Sequence, residues 1–178
     1  MLTFDIETTG LDGAKHRVTC ISFYDDQTNT ETNFVFNQPA SSEDTCHKQL
    51  QATDMLDAAD TLCAFNGAKF DLAFIAKSWR ISDEHLTTWM VKLIDVFQAC
   101  RLALGVTFPL NSLLHSNGLS SKTGSGLEAI AMAERGEWGP LADYCMQDVR
   151  LTHKVTTLPV VRLPKTNLKW SMQSGFFQ

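Results

Sequence analysis

The chain of 178 residues is 44% hydrophobic and 20% charged, with a net charge of −5, a composition that fits one globular domain and excludes a disordered chain. No apolar run approaches the ~18 residues that would cross a bilayer, and the acidic balance argues against gripping nucleic acid through a broad basic face. The cysteines Cys20, Cys46, Cys63, Cys100 and Cys145 are odd in number and form no CxxC pair. Neither a zinc cluster nor a disulfide framework is therefore expected, and reduced, mostly buried thiols are. Asp5 falls too early for a leader, so the expectation is an intracellular protein without a membrane partner.

Leu2, Phe4 and Ile6 alternate with Thr3, Asp5 and Glu7, which predicts a strand whose two carboxylates share one face. Val18 to Tyr24 reads as a second strand and Phe34-Val35-Phe36 as a third, joined through the turn-prone residues 25–29. Ser41 and Ser42 can cap a helix running to about Asp57. Thr61 to Phe65 reads as a buried strand ending at the turn dipeptide Asn66-Gly67, with a helix starting near Lys69. Val91 to Val96 suits a fifth strand, followed by a short helix that stops at Gly105. Residues 106–126 are expected to be irregular. Leu127 to Glu134 forms a further helix, Gly139-Pro140 opens the last long one, and Pro159 closes it. This order predicts an α/β fold with a five-stranded mixed β-sheet flanked by α-helices.

The stretch Asp5-Ile6-Glu7-Thr8-Thr9-Gly10 places two acids side by side on an otherwise apolar strand. Like charges so placed raise one another's pKa or destabilise the fold, and a divalent cation removes the conflict. Hard oxygen ligands suit Mg2+ or Mn2+. Asp71 follows Asn66 and Phe70 in the first turn of the helix after the fourth strand. Alone it would be an ordinary helix-start carboxylate; beside the end of the first strand it joins the same site. In the last helix, Leu141, Tyr144, Cys145, Asp148, Val149 and Thr152 follow a helical stripe that turns Asp148 inward, where a lone carboxylate is costly without a partner.

Together these segments resemble the three motifs of the DEDD superfamily of 3′-to-5′ exonucleases, which have a ribonuclease H-like fold. Asp5 and Glu7 match the first motif, Asp71 the second and Asp148 the third. Tyr144, four residues before Asp148, resembles the tyrosine branch, and residues 126–152 are similar to proofreading domains of family B polymerases. The resemblance implies that Asp5 bridges two Mg2+ or Mn2+ ions, that Glu7 and Asp148 complete one of them, and that Asp71 supports the other. Thr8, Thr9, Gly10 and Leu11 would hold the terminal nucleotide with Asn66 and Phe70, Leu11 and Phe70 packing on bases, while Tyr144 orients the attacking water. The implied reaction releases nucleoside 5′-monophosphates from the 3′ end of single-stranded or frayed DNA or RNA. Any polymerase or helicase partner would be a separate chain.

Two features stay open at this level. Residues 1–149 hold 10 basic and 20 acidic side chains, a balance of −10, whereas Arg150, Lys154, Arg162, Lys165 and Lys169 follow with no acid. Taking the exonuclease domain as residues 1–158, residues 159–178 form a basic C-terminal tail, either a solvated segment or a nucleic-acid contact. Lys122-Thr123-Gly124-Ser125-Gly126 lacks the spacing of a phosphate loop, leaving Lys122 as a solvated loop residue or a contact to a backbone phosphate. A catalytically silent binding module on the same fold is the rival reading, against which the presence of all four acids and Tyr144 argues.

Overall fold

The structure, a computed structural model, describes residues 1–105, 107–122, 124–164 and 169–170, and its sheet is built around the first strand. Antiparallel pairing joins β1 (Leu2–Thr8) to β2 (Val18–Asp25), and β2 to β3 (Thr30–Val35). On its other edge β1 runs parallel to β4 (Leu62–Ala64), which runs parallel to β5 (Leu93–Asp95). The resulting order, β3-β2-β1-β4-β5, is the expected five-stranded mixed sheet.

Leu2, Phe4 and Ile6 enter one core together with residues of α1 (Glu43–Ala58), α2 (Asp71–Trp79) and α3 (Asp83–Met90), among them Leu56, Leu72, Ile75 and Trp89. The opposite face of the sheet is covered by α7 (Trp138–Thr156), with α6 (Gly126–Arg135) beside it. Two contacts fix which side chains of β1 meet α7. Thr3 Oγ1 lies 3.3 Å from His153 Nδ1, and Cys145 Sγ donates to the Asp5 carbonyl at 3.3 Å. The period of two therefore delivers Asp5 and Glu7 to the α7 face. A further cluster around Val96, Leu113 and Leu151 joins α4 (Val96–Leu104) and α5 (Leu110–Ser116) to α7.

Several elements differ from the sequence expectation. β3 begins at Thr30, because Thr30, Glu31 and Thr32 are polar residues of an edge strand and give no hydrophobic signal. β5 is confined to Leu93–Asp95, since the Asp95 side chain caps α4. The region expected to be irregular contains α5, whose Leu110, Leu113 and Leu114 are buried at helical spacing. α3 went unpredicted although Ser82 caps it and Asp83 and Glu84 fill its first turn. α7 starts at Trp138, with Pro140 inside its first turn.

Arg150 and Lys154 belong to α7, and Arg150 is paired with Glu31. Beyond it, β6 (Val161–Arg162) and β7 (Lys169–Trp170) pair antiparallel, and Val161 and Leu163 are buried. Lys165, Phe176, Phe177 and the side chains of Lys169 and Trp170 lie outside the described residues.

Asp95 ties this frame together at the end of β5. Its carboxylate accepts from the backbone N–H of Asn66 at 3.0 Å, Ala68 at 2.9 Å and Gln98 at 2.9 Å. One side chain thus holds both the turn that leads into α2 and the start of α4. Asp95→Ala strands three backbone donors, an expected cost of about 3 kcal/mol and a drop in Tm of roughly 6–12 °C for a chain of this size. A thermal-unfolding shift below 2 °C would show that these bonds contribute little.

Candidate active site

β1 leaves its regular pairing between Glu7 and Thr8, where the register with β2 slips by one residue. Such bulges re-aim side chains at the ends of strands. Just before it, ligand atoms of Asp5, Glu7 and Cys145 lie within 4.8 Å of one another. Asp71, the first residue of α2, is 2% exposed, and its Oδ1 accepts from the Ile6 N–H at 3.1 Å. The parallel β1–β4 pairing ends at Thr3 and Cys63, so the Asp71 carboxylate takes up the strand's next free donor, between Asp5 and Glu7. Asp148 and Tyr144 come from α7, one helical turn apart and both buried.

The electrostatics record how close the four carboxylates are. Burial, followed by the charges of Asp71, Asp148 and Glu7, pushes the Asp5 carboxyl well above its ordinary range. Glu7 moves from 4.5 to about 8, through burial and then the charge of Asp148. Asp71 moves from 3.8 to about 7 through burial, against the Ile6 hydrogen bond that favours its ionised form. Burial likewise raises Asp148, opposed by Lys122.

Lys122 is the site's own cation. Its Nζ lies 2.6 Å from Asp148 Oδ2 and 5.2 Å from the centroid of the Tyr144 ring. Burial pulls its pKa down, but the Asp148 charge and hydrogen bond outweigh this and raise it. Asn111 of α5 fixes the approach by accepting from the Lys122 N–H at 2.8 Å. Gly124, with φ +80°, lets the same segment lie on the tyrosine, since a Cβ there would stand 3.2 Å from the ring. The solvated loop lysine of the sequence reading is corrected here: the fold brings Lys122 to an acid 26 positions away, a distance that local spacing does not encode.

The residues present fit a hard divalent cation. Four carboxylates supply oxygen donors, and Asp148 Oδ1 and the Tyr144 hydroxyl are buried without a hydrogen-bond partner among the described residues. Cys145 does not join as a thiolate, because burial pushes its thiol well up and it donates to the Asp5 carbonyl.

Beyond the carboxylates, Thr8 Oγ1 donates to the Gly10 carbonyl at 2.6 Å, and Thr9 closes the next loop through two hydrogen bonds with the Arg17 backbone. Gly10 lies against the exposed His16 ring, which a Cβ 2.6 Å away would displace. Leu11 is 84% exposed and lines one groove with Phe70, so the two residues expected to pack on bases do share a surface. Asn66 has φ 70°, a conformation asparagine tolerates, and its carbonyl accepts from Phe70 N–H at 3.0 Å in the turn before α2. Sequence reasoning missed the pairing of Lys122 with Asp148, and it missed Asn111 and Asp95. Of these, only Asp95 left a trace, as an acid directly before an apolar helical run.

Fold and site together define an α/β domain with an acidic, cation-ready centre at the end of its middle strand. A family model described as the RNase H superfamily matches residues 2–159, and the chain belongs to that superfamily. Its fold is similar to the family B DNA polymerase from the hyperthermophilic archaeon Pyrobaculum calidifontis, with a TM-score of 0.64 and 16% identity over 85% of this chain and 23% of the polymerase. The chain thus spans less than a quarter of that protein's length. A structure described as the apo form of the nuclease matches with a TM-score of 0.55 and 16% identity, over 86% of this chain and 68% of its own. Comparison with curated proteins finds no match. Among the described residues no helix is long and apolar enough to cross a membrane.

The raised carboxyls set a pH dependence whose sign can be worked out. Folded Glu7 and Asp71 hold protons up to about pH 8 and 7, respectively, whereas the unfolded chain releases them near pH 4. Their contribution to stability is complete below about pH 4 and is lost as pH rises through 7 to 8. Without metal, Tm should therefore fall between about pH 5 and 8, and added Mn2+ should restore it most at the upper end. A chelated protein whose Tm stays flat or rises over that range would contradict the carboxylate cluster.

Proposed function

We propose that this chain is a 3′-to-5′ exonuclease of the tyrosine type, hydrolysing phosphodiester bonds at the end of single-stranded or frayed DNA, or RNA, and releasing nucleoside 5′-monophosphates. The observation that carries the reading is the meeting of Asp5, Glu7, Asp71 and Asp148, with a buried Tyr144 hydroxyl beside Glu7 and Asp148. A buried hydroxyl beside carboxylates and the Lys122 ammonium, with no hydrogen bond of good geometry among the described residues, suits a donor or acceptor for a water that arrives with substrate.

Asp5, Glu7 and Asp148 would hold one Mg2+ or Mn2+ ion, and Asp5 and Asp71 would hold a second. When bound, such cations supply a more acidic water and neutralise charge on the leaving oxygen. The protein's own groups do the rest. Tyr144 stays protonated, because burial raises its pKa, and so offers a hydrogen bond rather than a base. With Asp148 engaged as a ligand, the Lys122 ammonium that it now holds would be left to a substrate phosphate. The loop after Glu7 presents Leu11 opposite Phe70, giving the terminal base an apolar place to rest. A strand end entering there meets the carboxylates directly.

One contact favours a second reading, a catalytically silent nucleic-acid-binding module. The Lys122–Asp148 pair already neutralises part of the cluster without metal. Binding that ignores chelator, with no product at any Mg2+ or Mn2+ concentration, would select that reading.

The exonuclease reading makes Tyr144 and Asp148 fail differently. Asp148→Asn should lose metal affinity and nearly all turnover of a 5′-labelled strand, whose ladder of shortening products reports the polarity. Tyr144→Phe keeps the ring against Lys122 and Gly124, so folding and metal binding should persist while turnover falls by roughly 10²-fold. Full turnover in Tyr144→Phe would reduce the tyrosine to a packing residue.

A further inference from the structure

The acidic body of the protein concentrates its positive charge in one place. Lys15, Arg17, Lys77 and Arg80 line a cleft of about 390 Å³, and Lys69 joins Lys77 in the adjoining groove that holds Leu11 and Phe70. Half of the 10 cations in residues 1–149 thus line two neighbouring depressions, while none of the 20 acids lines either. Among the described residues, Lys15 alone of these cations has a carboxylate partner, Asp12 at 3.4 Å, and both are well exposed, so the pair is weak. The Arg17 guanidinium is fixed by two backbone carbonyls, Phe36 at 2.9 Å and Gln38 at 3.0 Å, which leave its charge without a counter-ion.

The cleft is built rather than incidental. The loop of residues 9–17 is closed by the Thr9–Arg17 bonds and seated on α2 at Gly13, where a Cβ would stand 3.0 Å from the Phe74 carbonyl and 3.2 Å from Lys77 Cβ. α2 carries Asp71 at one end and leads to Arg80 at the other, about 13 Å away at 1.5 Å per residue. Thr9, directly after the acidic strand, lines the near end of the cleft. Trp79, packed edge-on against Phe36 at 5.7 Å, contributes an aromatic surface to its wall. Unpaired cations interleaved with an aromatic ring are the recognition chemistry of single-stranded nucleic acid.

We propose that this cleft holds the single strand leading away from the terminal nucleotide, with its phosphates on Lys15, Lys77 and Arg80. The inference rests on the nuclease reading of the acidic site, and it makes that site the end of a track several nucleotides long. A dinucleotide, whose single phosphate is the scissile one, gains nothing from the cleft.

The test compares Lys15→Gln/Lys77→Gln/Arg80→Asn with a control, Lys92→Gln/Arg101→Gln/Arg135→Gln, which removes equal charge from positions outside the cleft. Asparagine suits position 80, whose φ is 60°. Binding of a fluorescent oligonucleotide of about 20 nucleotides is read by anisotropy in Ca2+ across a salt series, and hydrolysis of a dinucleotide, the short strand of the test, is read in Mg2+. Three lost phosphate contacts should lower the salt slope by about two and the affinity at least tenfold, with the short strand cut at the wild-type rate and the control changed less than threefold. Equal losses in both triple variants, or an unchanged slope in the cleft variant, overturn the proposal even if the short strand is cut. A selective binding loss with no cleavage of either strand by the wild type leaves the cleft assignment standing and removes the nuclease reading instead.

Discussion

Four carboxylates are held together where water is scarce, and the architecture answers to that constraint. At neutral pH such a cluster must keep protons, recruit a cation or come apart. The protein uses the first two means in its own structure: Glu7 and Asp71 hold their protons to about pH 8 and 7, and Lys122 places an ammonium on Asp148. Neither relieves the whole cluster, since Asp148 Oδ1 remains buried without a partner among the described residues. A stiff frame is needed to keep such groups close. The central, doubly covered β1 supplies two of them, and the Ile6 N–H anchors the third.

The comparison of Asp95 with Asp148 separates a structural acid from one kept for chemistry. Both are buried, Asp95 at the end of β5 and Asp148 on α7 across the sheet. Asp95 accepts three backbone hydrogen bonds through its two oxygens, and its work is finished in the folded chain. Asp148 offers one oxygen to a lysine that a stronger cation can displace and leaves the other open. Asp71 is intermediate, with one oxygen committed to the Ile6 backbone. The distribution of unspent acceptors, rather than burial or acidity alone, marks where a ligand belongs.

Legibility in the sequence followed the range of the interactions. The alternation in residues 2–7 was enough to set Asp5 and Glu7 on one face, and the stripe through Leu141, Tyr144 and Cys145 was enough to turn Asp148 inward, because both are local periodicities. β3 was shortened in the reading because Thr30–Thr32 are polar and take their strand geometry from pairing with β2. α5 was hidden for a different reason: its seven residues are too few to stand out in a window that includes Gly105, Pro109 and Gly118. The pairing of Lys122 with Asp148 was beyond reach altogether. Its place depends on Asn111, on the left-handed Gly124 and on α7 arriving beneath, three contacts that exist only after folding.

A net charge of −5 need not oppose a polyanionic ligand, because charge acts through its arrangement. The acids that dominate the total are partly hidden in the site, where burial suppresses their ionisation, and partly tied up in surface pairs such as Lys48–Asp44 and Arg150–Glu31. The cations of the cleft are, with the exception of Lys15, free of carboxylate partners among the described residues. The cleft beside the loop of residues 9–17 is therefore lined by cations, opposite in sign to the sum over the chain, and Thr9 in its lining directly follows the strand whose acids a metal would neutralise. An approaching strand would meet attraction first along α2 and only afterwards at the carboxylates, so the two halves of the surface differ in when they act. Positive charge spread evenly over the domain would bind nucleic acid in any orientation; gathered here, it favours a strand whose end points at Asp5.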